Sequence, residues 1–245
     1  MDLSTVKSQV LIEAGKFRIG PRVLKLQQQT DGSAIKISKI KNVNGAIVPN
    51  LGTAPISLFD VESVVVFPLT IKATILFSEE CFEDNGINEM LQKSISESFI
   101  LAEIENKLVI ETLIAGAGKR ITTETKPDVR EKPILDNFIS AIKFIEDNKY
   151  HPDVILLNPK IAESLRQRDE LKDKLIAYAI EVIIDTSVPE NVVIILDSVN
   201  AGLLIERVSL EISDYSDPWQ SKKGFLLRER IAPIVLNGNA VAVIE

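Results

Sequence analysis

The sequence predicts an α+β fold in which one long helix carries two extended β-hairpins and a compact α/β unit. Three observations support this architecture. Apolar residues recur three or four positions apart between Ser78 and Gly118, as on one face of a helix. Apolar and polar residues alternate on both sides of that segment, and short apolar runs alternate with amphipathic segments between residues 128 and 204.

The long helix is the element around which the others are expected to pack. Its predicted apolar stripe is Ile87, Met90, Leu91, Ile95, Phe99, Ala102, Ile104, Leu108 and Val109. Asp84 or Asn85 can cap the first turn, and the glycines at 116 and 118 favour its termination. A helix of roughly 28 residues is more than twice the usual length in globular proteins.

Two segments with strand-like alternation predict extended hairpins. The first covers residues 30–66, has a turn signal at Asn44-Gly45, and offers few residues for a core of its own. The second pairs residues 203–212 with residues 224–231. Residues 1–19 are expected to form only a short amphipathic lead of a helical turn or two.

The α/β unit is predicted from short apolar runs, typical of buried strands, that alternate with helical segments. The runs are residues 153–158, 181–185 and 192–197, with a last strand at residues 240–244. Asn158 and Asp197 each end a run, at the position where open α/β sheets often hold functional groups. Both residue types are also preferred caps, and capping is the favoured interpretation.

Composition and charge bear on the class of protein. A hydrophobic fraction of 45% and a mean hydropathy of +0.14 are typical of a packed soluble protein. No run of about 18 uncharged apolar residues predicts a membrane helix, the first residues lack a signal-peptide pattern, and the single cysteine, Cys81, excludes an intrachain disulfide.

The net charge of −7 is unevenly distributed. Residues 1–44 hold eight Lys and Arg against three Asp and Glu, a net of +5, so the remainder carries −12. A basic segment on an acidic body can bind nucleic acid or another copy of the same chain. Self-association is favoured, because no aromatic residues interleave with the basic ones to stack on bases.

Catalytic patterns are missing from the sequence. His151 is the only histidine, no GxSxG motif supplies a nucleophile, and one Cys with one His cannot make a conventional zinc site. The segment Gly116–Arg120 lacks the residues of a phosphate-binding loop. We therefore expect no catalytic residues, no metal and no cofactor. A soluble α/β enzyme in residues 128–204 remains an alternative, with Asn158, Asp185 and Asp197 as its candidate groups.

Three runs resemble a known family in their order and spacing. They are VFPLTIKATILFSEECFED before the long helix, HPDVILLNPKIAESLRQRDELKD, and the segment from VPENVVIILD through LLIERVSLEISDY and GFLLRERIAPIV to the end. Together they resemble the HK97-fold major capsid proteins of tailed phages and proviruses, a fold that encapsulin shell proteins share. One departure is Leu196, which stands where the family has a glycine before Asp197.

The resemblance implies an HK97-like capsid fold with named parts. These are an N-terminal segment (1–29), an E-loop hairpin (30–66), a P-domain with the spine helix (67–127), an A-domain (128–204), a P-domain β-hairpin (205–232) and a final A-domain strand (233–245). It implies a structural protein that assembles through pentamers and hexamers into an icosahedral capsid, in the virion and, during assembly, in the host cytoplasm.

The contents of such a shell differ between the two branches of the family. A viral capsid encloses double-stranded DNA without sequence-specific binding and works with a portal and with a separate scaffold or none, whereas an encapsulin nanocompartment encloses a protein cargo. Encapsulins resemble each other in an N-terminal helix that docks the cargo. Residues 1–19 look too short for that helix, which favours the viral capsid. No membrane contact is implied.

Candidate inter-subunit contacts follow from the charge asymmetry and the resemblance. The basic candidates are Arg22, Lys25, Lys36, Lys39 and Lys41, expected to project on the first hairpin. Their acidic counterparts near the start of the spine helix are Glu79, Glu80, Glu83, Asp84 and Glu89. Arg228 and Arg230 are further candidates, because Leu227–Arg230 resembles the family's RaeeR motif.

Overall fold

The computed structural model describes residues 3–29, 34–41, 60–78, 80, 87–122, 132–166, 179–219 and 221–245. Its helices are α1 (Leu3–Phe17), α2 (Gly20–Val23), α3 (Ile87–Gly116), α4 (Lys132–Asp147) and α5 (Pro159–Arg166). Its strands are β1 (Lys25–Gln28), β2 (Ile35–Lys41), β3 (Asp60–Val66), β4 (Leu69–Ser78), β5 (Lys119–Ile121), β6 (Val154–Leu157), β7 (Glu181–Ile184), β8 (Val193–Leu196), β9 (Gly202–Asp217), β10 (Lys222–Val235) and β11 (Val241–Ile244).

The long helix is confirmed as α3, with 30 residues, but its predicted stripe is partly wrong. Ile104 is 48% exposed, whereas Leu101, Ile110 and Leu113 are fully buried. The buried face also holds polar residues, namely Ser94, Ser98, Glu105 and Asn106. The prediction used apolar positions alone, and it therefore missed part of the face that α3 buries. Polar groups can be buried on that face as well when they are hydrogen-bonded.

The first helix is longer than the sequence pattern suggested. The expected lead of one or two turns is a 15-residue helix, α1, which packs along α3. Val6, Val10 and Ala14 are fully buried at a spacing of four, which keeps them on one side of the helix. Phe17 then stacks edge-on against Phe99 of α3, with ring centroids 4.3 Å apart.

The second hairpin is confirmed and forms the centre of a four-stranded sheet of order β1-β9-β10-β4. Strands β9 and β10 are antiparallel, β4 pairs antiparallel with β10, and β1 runs parallel to β9. Backbones approach closely at Gly224, where a Cβ would lie 1.8 Å from the carbonyl oxygen of Ile75. Only glycine fits between the two strands there.

The first hairpin is confirmed as the antiparallel pair β2–β3, with Ile35 opposite Val66 and Lys41 opposite Asp60. Its connection, including the predicted turn at Asn44-Gly45, lies outside the described residues. The expectation that the hairpin lacks a core needs correction at its base. Ile35 is 1% exposed and packs with Ile205 and Ile234 of the long strands, so the hairpin is anchored where it leaves the body.

The α/β unit is a five-stranded mixed sheet of order β5-β11-β8-β6-β7. Alternate residues of β6 point to opposite faces, so Ile155 and Leu157 pack against α4 while Val154 and Leu156 join the core beneath α3. Both faces are covered, which explains why these strands are continuous apolar runs. Strand β5 was not predicted, because Lys119 and Arg120 mask it as a polar segment.

Candidate functional site

The strand-end residues of the α/β unit hold turns and a helix start. Asn158 accepts a hydrogen bond from the backbone N–H of Lys160 and donates one to the carbonyl of Val188. Asp185 accepts one from the backbone N–H of Ser187 and one from Asn106 Nδ2. These contacts confirm the capping interpretation for Asn158.

Asp197 is the most heavily bonded of these groups. Its Oδ1 accepts hydrogen bonds from the backbone N–H groups of Val199 and Asn200, at 3.1 and 3.0 Å. Its Oδ2 accepts from the backbone N–H of His151 at 3.0 Å and from Asn200 Nδ2 at 2.9 Å. The turn therefore forms without the family's glycine at Leu196, and the enzyme alternative loses the groups on which it depended.

Within the described residues, no group of three or more His, Cys, Asp or Glu side chains could hold a metal ion. No helix of that part of the chain is long and apolar enough to cross a membrane.

Two basic candidates do not lie on the first hairpin, contrary to the prediction. Arg22 belongs to α2, and its Nη2 donates to Glu181 Oε1 at 2.5 Å within the same chain. Lys25 begins β1, opposite Leu203 in the four-stranded sheet. The alternating pattern that suggested an arm begins at Arg22, earlier in the sequence than the hairpin itself, because β1 belongs to the four-stranded sheet.

The remaining basic candidates, Lys36, Lys39 and Lys41, do lie on β2. Strand β3 returns acidic residues at matching positions, with Glu62 opposite Lys39 and Asp60 opposite Lys41. Opposite charges at facing positions of an antiparallel pair are favourable. The described part of the hairpin is thus less basic than residues 1–44 suggested.

Among the acidic candidates, Glu79, Glu83 and Asp84 lie outside the described residues. Glu80 is fully exposed, and hydrogen bonds from its own backbone and from Ser78 lower the pKa of its carboxyl. Glu89 falls in the first turn of α3, a favourable place for an acid near the positive end of the helix dipole.

Arg228 and Arg230 are engaged within the chain. Arg228 forms an ion pair with Glu211 across β9 and β10, with Nη2 and Oε1 2.5 Å apart and both side chains nearly half exposed. Arg230 Nε donates to the carbonyl oxygen of Pro68 at 3.4 Å. This contact ties the strand β10 to the break between β3 and β4.

Between the two arginines, Glu229 belongs to a buried charge cluster that sequence reasoning missed. The cluster consists of Arg18, Glu105, Glu206 and Glu229, which come from the α1–α2 junction, α3, β9 and β10. Glu105 and Glu229 are fully buried, and Glu206 is 4% exposed. Arg18 donates through Nε to Glu105 and through Nη2 to Glu206 Oε1 at 2.9 Å, and its Nη2 lies 3.5 Å from Glu229 Oε2.

The cluster holds three carboxyl groups against one guanidinium. Burial raises the pKa of Glu229 to about 8, and the negative charge of Glu105 adds to the shift. Burial also raises the pKa of Glu105, although Arg18 opposes the change. Burial would lower the pKa of Arg18, but hydrogen bonds and charges from the carboxylates outweigh it, so that pKa is raised.

A sequence signal for this cluster existed. Glu229 occupies an inward position of β10 between the buried Leu227 and Ile231, and Glu206 follows the inward Leu204 on β9. An acid on the apolar face of a strand is unusual unless it is paired or protonated.

Comparison with solved structures places this architecture among known shells. The chain is similar to the virus-like particle protein from Pyrococcus furiosus, with a TM-score of 0.78, 15% identity and coverage of 99% of this chain and 98% of that one. It is also similar to the capsid of Cyanophage P-SCSP1u (TM-score 0.69, 10% identity, 91% of this chain and 86% of that one) and to the capsid of the native GTA particle (TM-score 0.68, 12% identity, 93% and 89%).

No family model matches the sequence, and no curated protein matches it. The identities to the solved structures are low, so the likeness is one of fold. The similarity nevertheless covers at least nine-tenths of the chain in each of the three comparisons. The chain therefore has the HK97-like capsid fold, with its spine helix, extended hairpin and α/β unit, as the sequence resemblance implied.

Proposed function

We propose that this chain is the structural subunit of a closed icosahedral shell, assembled through pentamers and hexamers. The observation that carries the proposal is the hairpin β2–β3, a two-stranded sheet anchored to the body at Ile35. A two-stranded ribbon is marginal in water unless another surface covers it. The whole-chain likeness to capsid and virus-like particle proteins supports a neighbouring subunit as that surface.

An exposed apolar strip continues from this hairpin into β4. Val65, Phe67 and Leu69 are 52%, 67% and 54% exposed, respectively. On the spine helix, Ile100 and Ile104 lie one turn apart and are each about half exposed. Apolar residues that cluster on a surface are typical of protein–protein contacts. In our proposal the hairpin of one subunit lies across the spine helix of the next. The apolar strip at Val65, Phe67 and Leu69 would then be covered by the neighbour, and the hairpin would cover the neighbour's Ile100 and Ile104.

The lysines of β2 would add an electrostatic contribution to this contact. Lys36, Lys39 and Lys41 would face acids near the start of the neighbour's spine helix, for which Glu79, Glu80, Glu83, Asp84 and Glu89 are the candidates. Each exposed pair is worth only about 0–1 kcal/mol. Repeated at every contact of a closed shell, such small contributions accumulate, and they weaken as salt screens the charges.

Charge reversal tests the contact. Replacing Lys36, Lys39 and Lys41 together with Glu should leave the subunit folded by circular dichroism and should reduce particle formation in light scattering and negative-stain microscopy. The matched control replaces Lys143, Lys149 and Lys160, which are exposed on the α/β unit, with Glu.

The outcomes of the β2 triple variant distinguish the alternatives. If it is unfolded, β2 belongs to the core of the subunit. If it assembles like wild type, the lysines of β2 make no electrostatic contact between subunits. A wild-type protein that stays monomeric in every buffer, with and without a scaffold, would contradict the shell.

For the contents, double-stranded DNA of a virus or provirus remains the first candidate, with a portal and a separate scaffold or none as partners. A protein cargo is the second candidate, and α1 removes the argument that was made against it. The helix has 15 residues and packs along α3, so the short lead that counted against an encapsulin-type shell is not what the structure contains. Nuclease-resistant DNA in purified particles would support the viral capsid. A second protein enclosed in particles that contain no DNA would support the cargo shell.

A further inference from the structure

The buried charge cluster joins the first helical segment to the three longest elements of the subunit. Arg18 lies between α1 and α2, Glu105 on α3, Glu206 on β9 and Glu229 on β10. The segment packs tightly over the carboxyl groups, because a Cβ on Gly20 would lie 2.6 Å from Glu105 Oε1. This close approach leaves no room for a water molecule between Gly20 and that oxygen.

The hydrogen bonds of the cluster are incomplete when all three carboxyl groups are ionised. Arg18 donates to Glu105 and Glu206, and Ser209 Oγ donates to Glu206 Oε2 at 2.7 Å. Glu105 Oε1 and both carboxyl oxygens of Glu229 are buried and receive no hydrogen bond from the described residues. Buried acceptors without donors are strongly unfavourable.

One proton removes this conflict. The carboxyl groups of Glu105 and Glu229 lie close enough to affect each other's pKa, and two carboxyl groups can share a hydrogen bond only if one of them is protonated. With the proton on Glu229, the cluster holds two negative charges and one positive charge. Without it, three carboxylates face one guanidinium in a site whose side chains are at most 11% exposed.

We propose that this cluster is a proton-operated latch, in which a proton on Glu229 holds the segment Leu3–Val23 against the body of the subunit and loss of that proton loosens the segment. The charged groups that face Glu229 are Glu105 from α3, Arg18 from the α1–α2 junction and Glu206 from β9. The fourth neighbour, β4, presents Ile71 at the position opposite Glu229. Among the groups that shift the pKa of Glu229, Arg18 is the one cation.

The direction of the pH effect follows from the raised pKa. The folded protein holds the Glu229 proton up to about pH 8, whereas the unfolded chain releases it near the ordinary value of 4.5. The stabilisation by the Glu229 proton is complete below pH 4.5, falls as the pH rises through this window, and is lost above about pH 8. Across that window one proton changes the opening equilibrium by up to about tenfold per pH unit.

Hydrogen–deuterium exchange on the purified full chain tests the latch. Peptides from residues 3–17 would be followed at pH 6, 7.5 and 9, with rates corrected for the chemical dependence of amide exchange on pH. Wild-type protein should open these residues increasingly as the pH rises. Glu229→Gln, which keeps the shape of the protonated acid and cannot ionise, should remove this dependence. Glu211→Gln is the matched control, because Glu211 pairs with Arg228 on the exposed side of β9, and it should behave like wild type.

Two outcomes overturn the proposal. One is a wild-type protein whose corrected exchange at residues 3–17 is the same at pH 6 and pH 9, a result that stands even if Glu229→Gln fails to fold. The other is a folded Glu229→Gln that keeps the wild-type pH dependence. Neither outcome concerns particle formation, so the latch and the proposed shell can fail independently.

Discussion

Two buried polar sites of this protein use carboxylates in opposite ways. In the α/β unit, both oxygens of Asp197 accept hydrogen bonds from N–H groups of the turn and of His151. At the joint between α1, α3 and the long strands, three glutamates depend on Arg18, and Glu229 receives no hydrogen bond from the described residues. One site is saturated with donors and the other is short of them.

The difference shows what decides whether a buried acid stabilises a fold. Backbone N–H groups at a turn are fixed in place and face the carboxylate whether or not a cation is near. A guanidinium has several donors but only one charge, so it cannot satisfy three carboxylates at once. We expect the first site to contribute stability with little conflict and the second to depend strongly on Arg18 and on pH.

The largest expected effect comes from removing the cation. Arg18→Met keeps much of the side-chain volume but leaves the three glutamates without their partner, and it should lower the free energy of unfolding by about 3–5 kcal/mol. Denaturant unfolding at pH 7 measures this loss. Arg228→Met, which removes an exposed arginine, is the control, and an equal loss in the two variants would contradict the special role of Arg18.

The saturated site should lose less. Asp197→Ala leaves the N–H groups of Val199, Asn200 and His151 without their acceptor, and we expect a loss of about 2–3 kcal/mol in the same measurement. Asp197→Asn keeps one oxygen acceptor and should fall between wild type and the alanine variant. A loss below about 0.5 kcal/mol for alanine would mean that water replaces these hydrogen bonds at little cost.

A single cap should matter less again. Asn158→Ala removes the hydrogen bond to the backbone N–H of Lys160 at the start of α5 and should cost about 1 kcal/mol. Asn158→Asp retains the capping oxygen but loses the donor to the carbonyl of Val188. Asn158→Ala loses both hydrogen bonds, so thermal unfolding of the two variants separates the cap from the tie to the neighbouring loop: equal destabilisation of the two would assign the effect to the loop, and destabilisation of the alanine variant alone would assign it to the cap.

The smallest effect is expected on the surface. Arg228→Ala breaks an ion pair with Glu211 that is nearly half exposed on both sides, and it should change the free energy of unfolding by about 0–1 kcal/mol. The change should shrink further in high salt, because exposed charges are screened. A larger, salt-independent loss would indicate that Arg228 acts through packing.

The turns of the α/β unit were predictable because their causes are local. Asn158 and Asp197 follow apolar runs directly and cap groups two or three positions away, so the local sequence is enough to predict these caps. The length of α3 was predictable for a similar reason, since a sustained spacing of three and four positions fits only a helix.

The charge cluster was not predictable because its members are distant in sequence. Arg18 lies 87 positions from Glu105 and 188 from Glu206, and only the packing of helices and strands in the fold brings them together. The length of α1 was missed for a different reason. Its buried residues Val6, Val10 and Ala14 are small and few, so the stripe was visible in the spacing but weak in hydrophobicity.

The pairing of early strands with late ones governs how the chain can fold during synthesis. Strands β1, β4 and β5 all pair with strands in the last fifth of the chain. The pairs are Lys25 with Leu203, Leu69 with Ile231 and Lys119 with Ala242. The three strands therefore cannot pair until that part of the chain has been synthesised. Contacts of such high order slow folding and leave strand edges open on the ribosome. The same dependence makes folding sensitive to chain length, because a nascent chain that stops before β9 and β10 cannot complete the four-stranded sheet.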